Sequence, residues 1–155
     1  MTDKNHRTGH VHYNAAVDLV ESNLAAGRAE KVAYIDDHGR YSFADLHLAV
    51  RHTAAALLAA DLEPEQRVLL CMHDSFALPA TFLGAIRAGI VPVLVNTQLT
   101  QDDYAYMLAD SRAAIAIVSA PLAVAFAPLL DRVSSFKRLI IDGGEQLELE
   151  VLCAA

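Results

Sequence analysis

Lysine is scarce in this chain of 155 residues: Lys4, Lys31 and Lys137 are scattered, and acidic residues outnumber basic ones by 19 to 12 for a net charge of -7. Nucleic acid and anionic membranes bind through clustered Lys and Arg that displace counterions, so both are excluded as expected partners. Cysteine is scarcer still. Cys71, inside an apolar run, and Cys153, near the end, form neither a disulfide framework nor a ligand set, which fits a reducing, cytoplasmic setting. The spacing of His and Cys supports no zinc site. Residues 1–12 lack the apolar core of a secretory signal. The stretch that could pass for a membrane span, residues 113–130, is rich in alanine and cut by Ser119, Pro121 and Pro128, as a strand followed by a helix would be. Phosphate cradles are missing too. No Gly-x-Gly-x-x-Gly follows a strand, no Gly-x-x-x-x-Gly-Lys-Ser/Thr loop is present, and no internal repeat is found.

What remains is apolar and ordered. With 54% hydrophobic and 20% charged residues, the chain reads as one globular unit with a real core. Residues 1–13 look like a loose polar tail; His6, His10 and His12 lie in it without a fourth ligand or a scaffold. Asn14 is placed to cap a helix that buries Val17, Leu19, Val20 and Leu24 and stops at Gly27. A small hairpin turns at Asp37-His38-Gly39. Ser42 and Asp45 then open a helix whose inner face is Phe43, Leu46, Val50, Ala54, Leu57 and Leu58; His47, Arg51 and His52 on it read as solvated.

The organising stretch is 67–119. Residues 67–72 form a nearly unbroken apolar strand, the mark of a parallel sheet covered on both faces. His73-Asp74-Ser75 has the residue types of a hydrolase triad, but three consecutive side chains cannot form the relay and there is no Gly-x-Ser-x-Gly elbow. It reads as a loop, with Ser75 or Asp74 capping the next helix. That helix, Phe76 to Ala88, tolerates Pro79 in its first turn and is apolar almost all round, so a covering partner is expected for it. Residues 90–95 form a second buried strand, in which Pro92 points to an edge or bulge. Thr100 and Asp103 make a capping box for a short helix that buries Tyr104, Met107 and Leu108. Strands over 113–119 and 137–142 flank a helix over 122–130, and a turn at Gly143-Gly144 precedes an acidic tail with no clear pattern. The alternation predicts an α/β fold, a mostly parallel sheet with flanking helices. Ligands of such sheets bind beyond the carboxyl ends of the strands, here His73-Asp74-Ser75, Asn96-Thr97-Gln98 and Ser119-Ala120.

The succession Tyr41-Ser42-Phe43-Ala44-Asp45-Leu46, Arg67-Val68-Leu69-Leu70, the run from Phe82 through Gly84, Gly89 and Pro92 to Asn96, Asn96-Thr97-Gln98-Leu99-Thr100 and Asp103-Tyr104-Ala105-Tyr106-Met107-Leu108 resembles the beginning of an AMP-forming acyl-CoA synthetase. Within that adenylate-forming superfamily it is most similar to the benzoate-CoA ligases. The resemblance covers residues 14–142 and implies the first part of a large N-terminal domain, with 1–13 as a tail and 143–155 left open. It implies a parent enzyme that activates an aromatic carboxylate with ATP and Mg to an acyl-AMP and passes the acyl group to coenzyme A. The phosphate loop, the acid pocket and the adenylation lysine of such enzymes have no counterpart in these residues, so this chain alone is expected to be inactive and to carry no catalytic or metal-binding residue. The resemblance assigns only Asn96, Thr97 and Gln98, as a loop toward the coenzyme A side. The remainder of the enzyme is the expected partner of the helix at Phe76 to Ala88. A short non-catalytic interaction module or split subunit derived from such a ligase is the alternative.

Overall fold

Asn14 starts the first helical segment, its Oδ1 accepting from the amides of Ala16 (3.1 Å) and Val17 (3.3 Å). The computed structural model describes residues 13–143 and the strand Leu149–Cys153, so the tail histidines and the second glycine of the expected Gly143-Gly144 turn lie outside the described residues. The first segment is a π-helical turn, Val17–Glu21, that passes into a short helix, Ser22–Ala25 (α1), and Gly27 ends it with φ +74°. The wider turn rotates the side chains off the expected stripe. Val20 is buried, whereas Val17 and Leu19, expected inside, are exposed.

Val32–Asp36 (β1) and Gly39–Ser42 (β2) form the antiparallel hairpin. Ser42 and Asp45 then exchange both hydrogen bonds of a capping box and start Phe43–Ala59 (α2). Leu46, Val50, Ala54 and Leu57 are buried with Thr53. Leu58, expected beside them, is 50% exposed, because consecutive helical residues point about 100° apart and Leu57 takes the inward direction. His47 also departs from expectation: its Nδ1 is buried and has no hydrogen-bond partner.

Arg67–Cys71 (β3), Ala77–Arg87 (α3), Val91–Leu94 (β4), Gln101–Ser111 (α4), Ile115–Ser119 (β5) and Arg138–Asp142 (β6) supply the predicted alternation. The expected helix over 122–130 is divided into a 3-10 turn, Ala120–Leu122, and two short helices, Ala123–Phe126 (α5) and Leu129–Arg132 (α6). Pro128, which has no N–H to continue a helix, stands at the break. The sheet order is β4-β3-β5-β6-β7, where β7 is Leu149–Cys153; β3 to β6 are parallel and β7 is antiparallel to β6.

Successive strand residues face opposite sides, and each side has its own core. Val68, Leu70, Ile115, Ile117 and Ile140 pack with Leu57 and Ala85 under α2 and α3. Leu69, Cys71, Ala116, Val118 and Leu139 pack with Tyr104, Leu108, Phe126, Leu129 and Phe136 under the other helices. Cys71 is a free thiol. β4 is not the buried strand expected: it is an edge, with Val91 40% and Leu94 53% exposed. The amides of Val91 and Val95 donate inward to Gln66 (2.8 Å) and Leu70 (3.0 Å), so alternation leaves the nitrogen of Pro92 on the free edge, where no donor is needed.

The apolar helix α3 is covered from within the chain. Val20 and Leu24 of the first segment and Leu46 and Val50 of α2 pack with its Ala80 and Leu83, while Ala85 meets the sheet. Its large apolar side chains are half-buried rather than exposed, so the expected bare patch is not on this helix. Among the described residues, the exposed large apolar side chains of helices include Leu48 and Leu58 of α2.

Candidate functional site

Parallel pairing brings the carboxyl ends of β4, β3, β5 and β6 to one edge of the sheet, in that order. The Asn96-Thr97-Gln98 loop leaves the first of them and is held by its own short-range bonds. Asn96 Oδ1 accepts from the Gln98 amide at 2.8 Å, an Asx turn. The Tyr104 hydroxyl donates to the Asn96 carbonyl at 3.0 Å and accepts from the Leu99 amide at 3.3 Å. Cys71 Sγ lies 3.8 Å from the same carbonyl, a weak donor contact. At the far end Thr100 and Asp103 form the predicted capping box, and the bonds from Thr100 hold the Asp103 carboxyl below its ordinary range. The loop is pinned at both ends while Asn96 and Gln98 face solvent and Thr97 is half-buried.

Tyr104 was legible only as a core residue; it is also the clamp of this loop. Its ring packs on Phe126 at 4.5 Å, and burial, then the Cys71 contact, pushes its hydroxyl up to about 12. Burial also raises the Cys71 thiol, which keeps it protonated and unreactive.

The end of β3 is tied to its neighbour on the other side. The His73 amide donates to Ser119 Oγ at 2.9 Å, so these two strand ends meet through backbone and hydroxyl. His73 and Asp74 are exposed, and Asp74 accepts from the Tyr34 hydroxyl, a bond that pushes Tyr34 up to about 12. Neither Asp74 nor Ser75 caps α3, contrary to expectation. The hairpin supplies that group instead: Asp36 Oδ2 accepts from the Phe76 amide at 2.8 Å, while Oδ1 accepts from His38 (2.9 Å) and Gly39 (3.0 Å). A cap from a residue so remote in sequence has no local signature. Tyr41 stacks on Phe76 at 3.9 Å and fixes the same junction.

The bond from Phe76 is the chief cause of a lowered pKa at Asp36, whose ordinary value is 3.8. A depressed carboxyl contributes stability that is present above its unfolded value and lost as pH falls through its folded one. Acid titration of the unfolding midpoint should therefore show a fall below pH 3.8 that Asp36→Ala reduces. An unchanged acid limb in that variant would remove Asp36 from the junction.

The loops at this edge carry hydrogen-bonding groups but no cation at Asn96, Thr97 or Gln98. Among the described residues no group of His, Cys, Asp and Glu is arranged to hold a metal ion. No described helix is long and apolar enough to cross a membrane. The loop after β4 can orient a polar ligand through neutral hydrogen bonds.

Comparison with known proteins identifies the larger context. The family model described as AMP-binding enzyme matches residues 22–152. The chain is 48% identical over 133 residues to a benzoate–CoA ligase of Thauera aromatica, covering 85% of this chain and 25% of that protein. It is 42% identical over 123 residues to a 4-hydroxybenzoate–CoA/benzoate–CoA ligase of Rhodopseudomonas palustris, covering 79% and 22%. The crystal structure of a benzoate CoA ligase from Burkholderia xenovorans superposes with a TM-score of 0.78 at 42% identity, over 83% of this chain and 26% of that one. The chain thus spans about a quarter of the length of the relatives it matches. With a family model over most of its residues and that fold, the chain belongs to the AMP-binding, adenylate-forming enzymes, the family of these benzoate–CoA ligases.

Proposed function

We propose that this chain is the first part of an aryl-acid CoA ligase of the benzoate type, which makes an acyl-AMP from a carboxylate and ATP and transfers the acyl group to coenzyme A. The carrying observation is the 48% identity that extends over 85% of the chain. In the first step a carboxylate oxygen attacks the α-phosphate and pyrophosphate leaves; in the second the coenzyme A thiol attacks the acyl carbon and AMP leaves. Metal and cationic groups must neutralise the phosphoryl charge in the first step. The described residues do not fit a magnesium site, so that task belongs to the rest of the enzyme.

What the chain contributes is scaffold and one edge. Asn96, Thr97 and Gln98 face the coenzyme A side, and Gln98 offers a phosphate a neutral hydrogen bond, weaker than a charged one. The enzyme works in the cytoplasm, where ATP and coenzyme A are available. The test begins with the intact mass of the gene product in its source cells, which is expected to be about three and a half times the 16.7 kDa of this chain. The whole product should release pyrophosphate from ATP when benzoate is added, and the 155-residue chain should not. A native mass of 16.7 kDa overturns the ligase reading. Benzoate-dependent pyrophosphate release by the isolated chain overturns the division of labour.

A further inference from the structure

Two loops at the amino ends of β5 and β6, opposite the edge that holds the strand carboxyl ends, enclose a pocket of about 440 Å³. The first leaves α4 at Arg112, three residues before β5; the second runs from Arg132, at the end of α6, to Ser135, three residues before β6. Arg112, Arg132, Ser134 and Ser135 line the pocket with Ala109 and Val133, and no carboxylate of the described residues does. The whole chain carries -7, yet residues 110–138 hold four cations, Arg112, Arg132, Lys137 and Arg138, against Asp110 and Asp131, which lie outside the lining. Arg112 ends α4 in the left-handed region, with φ 55° and ψ 32°, where glycine is the favoured residue. The helix stop therefore does not account for an arginine, and its guanidinium makes no hydrogen bond or ion pair among the described residues. Arg132 gives Nη2 to Asp102 at 2.9 Å, but the Asp102 side chain is 85% exposed, and a surface pair of that kind contributes little and exchanges readily. The Phe136 amide closes a turn on the Val133 carbonyl at 3.0 Å, which leaves the successive amides of Ser134 and Ser135 without a partner among the described residues. The Ser134 hydroxyl is free in the same sense, and that of Ser135 reaches only the Leu108 carbonyl, at 3.4 Å.

Two guanidinium groups, two hydroxyls and two amides, with no carboxylate among them, are the donor set of an oxyanion. Arginine takes the oxygens of a phosphate in pairs, and successive amides hold a further one. A cation at a helix C-terminus offsets the negative end of the dipole, which explains Arg112 on α4. It does not explain Arg132, since α6 is a single turn, nor the free donors between them. We infer that the pocket between the α4–β5 and α6–β6 loops binds a phosphate dianion, either free or as the phosphomonoester of a small molecule. Arg112 and Arg132 hold its oxygens, and Ser134 and Ser135 complete the shell. The pocket and the loop Asn96-Thr97-Gln98 stand at opposite ends of α4, about 16 Å apart along the helix. The site is therefore separate from the coenzyme A side of the proposed ligase and does not rest on that reading.

The whole gene product is treated with phenylglyoxal, which adds to free guanidinium groups, and labelling is mapped by peptide with inorganic phosphate or with sodium chloride at the same ionic strength. At a Kd of about 1 mM, about 10 mM phosphate fills about nine sites in ten, so labelling of Arg112 and Arg132 is expected to slow about tenfold while that of the exposed Arg40 on the hairpin keeps its rate. Methyl phosphate separates the two sources: protection at an equal or lower concentration assigns the site to a phosphomonoester, and protection by inorganic phosphate alone assigns it to the free anion. Arg112→Gly keeps the left-handed helix end and removes the cation. Its unfolding midpoint is expected to match or exceed the parent's, and phosphate should slow labelling of Arg132 in it by less than about twofold. Slowing of Arg112 by less than about twofold in the parent overturns the inference, as does equal slowing at Arg40. An Arg112 that is unreactive before phosphate is added overturns it too, because protein then fills the pocket. Full protection of Arg132 in Arg112→Gly overturns the shared site.

Discussion

Gly84→Leu is expected to lower the thermal unfolding midpoint by about 10 °C or more. A β-carbon at Gly84 would lie 2.6 Å from Thr53 Cβ, 2.8 Å from Thr53 Cγ2 and 3.1 Å from the Val50 carbonyl oxygen. A Cβ and a carbonyl are fixed by the α2 backbone, so no side-chain rotation relieves the overlap and the two helices must part. Alanine is the instructive smaller step. It returns about 1 kcal/mol of helix propensity, while overpacking costs about 1–3 kcal/mol, and contact at 2.6 Å puts the cost at the upper end. Gly84→Ala is thus a net loss of about 1–2 kcal/mol, and leucine adds atoms with nowhere to go. Thr53→Gly removes the two nearest atoms, so Gly84→Ala should be better tolerated in that background, a coupling that a double-mutant cycle reads directly. Melting of Gly84→Leu within about 2 °C of the parent, followed by circular dichroism, would show that the helices are not in this contact.

Gly84 also marks the border between what local pattern encodes and what it does not. The capping boxes at Ser42 and Thr100 and the stop at Gly27 were legible because each signal and its effect lie within a few residues, while Pro92 pointed to an edge or a bulge and the sheet order decides for the edge. The helix-period run containing Gly84 was legible too, but not the reason for a glycine inside it, which is Thr53 on another helix. The cap of α3 was misplaced for the same reason, since Asp36 comes from the hairpin. β7 lies in the acidic tail that was left without a pattern, although Leu147-Glu148-Leu149-Glu150-Val151 alternates as a strand does, and it pairs antiparallel to β6. The apolar excess of α3 was legible as a demand for burial, but not that α2 and the first segment supply part of the cover.

The candidate site divides along the same line. That the loops after the parallel strands would share one edge follows from βα alternation alone. The bonds that fix the loop after β4 do not, because they run through a tyrosine whose spacing on α4 already accounts for it as core. One side chain has two roles here, and periodicity shows only the burial.

Those two roles separate under substitution. Tyr104→Ala empties a site that is 1% exposed, and is expected to cost about 3–5 kcal/mol, a large part of the stability of an ordinary domain. Tyr104→Phe keeps the ring on Phe126 and deletes only the hydroxyl that bridges Asn96 and Leu99, a loss of about 1–2 kcal/mol. The alkaline limb of stability distinguishes the hydroxyl from the ring. With a folded value of about 12 against the ordinary 10.0, the neutral hydroxyl contributes stability that is complete below pH 10.0 and fades as pH rises toward 12. Tyr104→Phe should therefore flatten part of that limb, with Tyr34, also near 12, supplying what remains. In the proposed ligase the same variant loosens Asn96, Thr97 and Gln98 without touching the adenylation chemistry. KM for coenzyme A should rise by about tenfold, or 1.4 kcal/mol, while benzoate-dependent pyrophosphate release keeps its rate. If both half-reactions weaken equally, the hydroxyl serves the fold as a whole; if only the thiol step weakens, Tyr104 is a positioning residue for the loop after β4.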